Sequence, residues 1–141
     1  MRLQLFAACE KIITATDGTL SLITLLERMH VNIPPDVQVA ESSSAPTSWM
    51  VLAVWRPDPS DAGRTYEQYA EVQSEAGITV LRTETRPIEV SPGPHRVVSK
   101  LLQFPISFGN LTLKQFMREA PDGTWNEVAQ YPIEVALTRD E

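Results

Sequence analysis

Catalysis or metal binding in this chain would have to be built from two histidines, His30 and His95, one cysteine, Cys9, and the aspartates of the RPDPSDAG segment, Asp58 and Asp61. The histidines are far apart, and neither sits in a ligand-spaced motif such as HxH or HExxH. His30 follows the second predicted strand and His95 follows a Pro-Gly-Pro turn, so both are expected in solvated loops. Cys9 with a distant histidine is a minimal nucleophile pair. Two-residue alternation sets it instead on the apolar face of Leu3, Leu5 and Ala7, and Glu10 beside it disfavours a thiolate, which predicts a buried structural thiol. Asp58 and Asp61 are the best candidates for a cation site, but calcium asks for about six to eight oxygen ligands. Two carboxylates fall short unless Asp36, Glu41 or Asp122 converge on them, so the pair is expected to set a turn. No Gly-rich phosphate loop, nucleophile elbow or paired-carboxylate motif occurs. The expectation is a non-enzymatic protein with no catalytic residue, metal or cofactor.

The three tryptophans carry a different chemistry. Trp125 follows the Asp122-Gly123 turn and, with His95 and the Pro-rich loops, would suit a sugar or small-ligand site in which a flat ring stacks on the ligand. Trp49 and Trp55 share a strand in which Trp49, Val51, Ala53 and Trp55 are apolar on one face and Met50, Leu52 and Val54 on the other. A sandwich strand normally buries one face only, so both faces here need cover. The 33–48 loop is one source of cover. A second copy of the chain is the favoured one, because two-fold dimers are the commonest soluble assembly. Trp49, Val51 and Trp55 are the expected contact.

The elements that position these residues read as strands. LQLFAACEKIITATDGTLSLITLL is a hairpin about Asp17-Gly18, whose residues supply the positive φ of a tight turn. Further strands are expected at Trp49 to Arg56, Arg64 to Gln73, Ile78 to Glu84 with continuation towards Val90, Val97 to Ile106, Leu111 to Glu119 and a last one carrying Tyr131, Ile133, Val135 and Leu137 on one face. Pro121-Asp122-Gly123 makes a second turn. The Ser/Ala/Pro-rich stretch from Ile33 to Ser48 reads as a mobile loop, with Val37-Gln38-Val39 as a brief edge strand. About eight evenly spaced strands predict an all-β fold, an antiparallel β-sandwich of immunoglobulin-like or C2-like general shape, in a single domain over residues 1–141.

The opening strand (Leu3, Leu5, Phe6) ending in Cys9-Glu10, followed by Gly18, Leu20, Ser21 and Leu22, resembles a family of small bacterial proteins of unknown function. DAGRTYEQYAEVQSEAG resembles that family's second hairpin and TWNEVAQYPIEVAL its closing strand. The resemblance implies a two-sheet β-sandwich over most of the chain, and it implies no catalytic residues.

Composition bounds the partners. Among 141 residues, 12 are Lys or Arg and 18 Asp or Glu, for a net charge of −6 without a basic cluster along the chain, which disfavours nucleic acid and anionic membranes. Eleven prolines against six glycines favour strands and loops over helices. No apolar stretch reaches the roughly 20 residues of a membrane span. The apolar run after Arg2 is too short for a signal peptide, and the lone cysteine has no internal partner, so a cytoplasmic location is expected. The reading is a binding or assembly module, a homodimer or the partner of another protein, with the sugar or small-ligand module as alternative.

Overall fold

The first turn forms where its residue types require it. Gly18 takes φ 85°, in the left-handed region open to glycine, and Asp17 Oδ1 accepts from the Thr19 amide at 2.9 Å. The turn joins β1 (Arg2–Thr14) to β2 (Leu20–Leu25). The computed structural model describes residues 1–39, 43–106 and 108–139 and continues through β3 (Arg28–Ile33), β4 (Ser44–Ala45), β5 (Trp49–Arg56), β6 (Thr65–Ser74), β7 (Thr79–Arg82), β8 (Arg86–Glu89), β9 (His95–Leu101), β10 (Phe104–Pro105), β11 (Leu111–Glu119) and β12 (Asn126–Arg139). One sheet has the order β2-β1-β5-β9. The other has the order β3-β12-β11-β6-β7, with β8 also paired to β6. The two pack face to face, so the chain is an all-β sandwich.

Three features depart from the sequence reading. The sandwich is not wholly antiparallel, because β3 lies parallel to β12. The chain crosses between sheets at Leu26 and Glu27: the Leu26 amide still donates to Ala8 O on β1, and Glu27 O already accepts from the Glu134 amide on β12. The strand expected from Ile78 breaks into β7 and β8, with Thr83 Oγ1 accepting from the Ala70 amide in place of a ladder carbonyl. The 33–48 loop is tied down along its described parts. β4 pairs with β10, Ile106 N donates to Ser43 O, and Arg139 donates to Val37 O, while residues 40–42 of that loop lie outside the described residues. Residues 37–39 form no strand.

The inward face of β5 builds the core. Trp49 and Val51 belong to a cluster with Val72, Phe104, Leu113 and Ile133, and Trp49 meets Phe104 edge-on at 5.3 Å. Ala53 and Trp55 belong to a second cluster with Ile88, Val97 and Met117. Between the two, Gln115 Nε2 donates to Gln68 Oε1 at 2.7 Å, which pairs two amides buried in apolar surroundings. Phe6 packs on both clusters.

The outward face of β5 is buried too, and within a single chain. A register shift between Leu3 and Leu5 puts Leu3 opposite Trp55 on the inner face, so Cys9 shares its face with Leu5 and Ala7 but not with Leu3. Those three stand beside Met50, Leu52 and Val54, and Cys9 and Leu52 are 0% exposed. Arg96 on β9 is level with Val54 and Leu5 on the same face, and its Nη1 donates to Gly18 O at 2.6 Å. A straight β1 would carry Gly18 roughly 40 Å beyond Leu5 at about 3.3 Å per residue. The distal hairpin therefore bends back towards β9, with its tip tied to Arg96. Thr24, at φ 56°, supplies a kink in β2 near the last pairs with β1.

Candidate functional site

Trp49, Val51 and Trp55 are interior residues of the sandwich. An interface through them has no surface to use, and Trp49 Nε1 is already committed to Gln103 O at 2.8 Å. Their shared face was legible, but its partner is the second sheet. Trp125 and His95 are not brought together either. His95 lies at the start of β9, its Nε2 3.0 Å from Ser91 O, whereas Trp125 packs edge-on against Tyr69 with centroids 4.7 Å apart. His30 is an exposed strand residue of β3 rather than a loop residue.

Asp61 does set a turn, and it does more. Its carboxylate accepts from the Asp58 amide at 2.8 Å, from the Tyr66 hydroxyl and from the Met1 amine, both at 2.5 Å. The amine foremost, then Tyr66, hold Asp61 down at about 2. Both of its oxygens are engaged by the fold, and among the described residues no cluster of His, Cys, Asp or Glu could hold a metal. Cys9 is enclosed, and burial pushes its thiol up, away from the thiolate.

Two surfaces remain. On the outer face of the second sheet Tyr69 stacks on Phe116 at 5.0 Å, Arg82 lies 3.7 Å over the Tyr69 ring, and Arg118 lies 4.5 Å over Trp125 while pairing with Glu67. The ring faces that a sugar would need are partly taken by guanidinium groups. The other surface is the bent-back ribbon. Register gives it two faces, one with Ile12, Leu20 and Leu22, half-buried, and one with Ile13, Ile23 and Leu25, which are 40–49% exposed. The diagonal and alternate spacing of these three makes them neighbours. Leu5, also exposed, lies earlier on β1, where that strand pairs with β5. The alternation of the SLITL segment identifies a strand with two faces, but not which of them is exposed, because the bend of the hairpin is not a local property.

β2 is also an open edge. The Ala15 amide bonds to Thr19 O, and alternation from that pair turns the amides and carbonyls of Leu20 and Leu22 away from β1. No described strand pairs with that side. Among the described residues no helix is long and apolar enough to cross a membrane. A scan of protein-family models and a search of the curated proteins both find no match for the chain.

Proposed function

We propose that the chain is a non-enzymatic β-sandwich module that self-associates, with the β1–β2 ribbon as its contact. The observation that carries this reading is the open β2 edge flanked by exposed Ile13, Ile23 and Leu25. Open edges are ordinarily guarded by charge, proline or a covering element, and Leu20–Leu25, LSLITL, has neither charge nor proline. A second copy is the partner this edge suits best, because antiparallel pairing of a strand with itself about a two-fold axis is self-complementary in both backbone and side chains. The contact is also free of the net negative charge that otherwise makes two copies repel. A small-ligand module using Trp125 is the second reading, favoured by the half-exposed ring and weakened by the arginine already seated on it.

Light scattering across a concentration series tests the proposal. The wild type is expected to rise above the 15.7 kDa of one chain, and Ile23→Lys, an exposed position, to return to it. A wild type that stays at one chain mass throughout, or an Ile23→Lys variant that assembles as the wild type does, overturns it.

A further inference from the structure

Three cations that are scattered in the sequence meet at one rim of the sandwich, where β9 borders the first sheet and the β7–β8 segment borders the second. Arg82, Arg86 and Lys100 line a single cleft there with Thr83, Glu84 and Ser99, and Arg96 stands on the same edge strand. The absence of a basic cluster along the chain is thus not an absence in space. Elsewhere five of the other eight basic side chains, Arg2, Arg28, Arg64, Lys114 and Arg118, form ion pairs. Among the described residues none of these three does, nor does Arg96, although the chain carries 18 acidic residues to draw on.

We propose that this cleft binds a phosphate group. Two of its cations are held in place before any ligand arrives. Arg86 Nη1 donates to Val98 O at 2.7 Å across the rim, and Arg82 is fixed over the Tyr69 ring with Nη2 on Thr85 Oγ1 at 3.2 Å. Each guanidinium uses one of its five N–H donors in that bond and keeps the others. Prior fixing lowers the entropy lost on binding. Thr83 Oγ1 accepts from the Ala70 amide, so its own hydroxyl hydrogen is free to donate.

The charge selects the ligand class. Arg82, Arg86 and Lys100 against Glu84 leave the cleft with two positive charges, which matches the charge of about −1.5 to −2 on a phosphate monoester better than a single carboxylate. The net charge of −6 does not cancel this, because exposed charges beyond about 8–10 Å are largely screened at physiological salt. Free phosphate and a phosphate ester share this chemistry.

The test is phosphorus NMR titration of the full chain with inorganic phosphate and, separately, phenyl phosphate, at constant ionic strength in chloride. Saturable binding is expected. Lys100 is exposed and makes no ion pair among the described residues, so Lys100→Gln should leave the fold intact and weaken binding about tenfold, the effect of one charge-assisted hydrogen bond. Lys100→Arg should restore it. Lys11→Gln, which removes a cation on β1, should not weaken it. Tighter binding of phenyl phosphate would assign the site to an organic phosphate, and equal binding would assign it to the free ion. Failure of both probes to saturate, an unchanged affinity in Lys100→Gln, or an equal loss in Lys11→Gln overturns the proposal.

Discussion

Asp61 shows how a turn-forming side chain becomes a structural acid. Its place in RPDPSDAG identifies the turn, and its Asp58 amide bond is local. The Met1 amine and the Tyr66 hydroxyl are not local, and no spacing rule points to them, which is why the acid's role was illegible while its turn was not. Folding favours the charged carboxylate, since Asp61 sits at about 2 against an ordinary 3.8. Its stabilisation is therefore complete above about pH 4 and fades as pH falls through about 2. Tyr66→Phe removes a hydrogen bond to a charged group, worth roughly 1.5–3 kcal/mol. Denaturant unfolding should show a loss in that range at pH 7 and a smaller one at pH 2. A loss independent of pH would mean that Tyr66 contributes by packing and not through Asp61.

At the scale of elements, β5 and the first hairpin carry the lesson about legibility. The two-sided apolar pattern of β5 is plain in its residues, and it correctly demands two covers. One is the second sheet. The other lies on the side of the bent-back hairpin, whose placement was hidden because it depends on Arg96 reaching Gly18 far along the chain. Periodicity assigns residues to faces, but it does not say what lies over a face. If that bond pins the ribbon, Arg96→Ala should let the tip lift and expose the outer face with Cys9 in it. Thiol labelling reads this directly. Wild-type Cys9 should react only as the chain unfolds, both because it is enclosed and because its thiol is held up in pKa. Arg96→Ala should label at least about tenfold faster with an unchanged far-ultraviolet spectrum, corresponding to about 1.4 kcal/mol less protection against opening. Equal labelling rates in the two proteins would show that packing alone holds the ribbon down.

At the scale of the whole molecule, the two-layer architecture was legible from alternating strands and strong turns, whereas the parallel β3–β12 pair and the rim that gathers Arg82, Arg86 and Lys100 were not. Both depend on which distant strands become neighbours, and local pattern is silent on that. The core poses the same question of unity. It consists of two apolar clusters separated by the Gln68–Gln115 pair, an arrangement that would permit separate unfolding if nothing else joined them. Several features join them. Phe6 packs on both, and β5 runs through both, placing Trp49 in one and Trp55 in the other. Melting either cluster would strip β5 of half its inward contacts and Phe6 of half its own, so the clusters should unfold as one cooperative unit, as small single domains do. Trp49→Phe leaves Trp55 to report the second cluster, and Trp55→Phe leaves Trp49 to report the first, each beside Trp125 near the surface. At a fixed protein concentration, so that assembly does not shift the midpoint, fluorescence and far-ultraviolet circular dichroism should give coincident denaturant midpoints within each variant. A fluorescence midpoint that separates from the dichroism midpoint in one variant but not the other would show that the amide pair divides the sandwich into two units, one of which opens first.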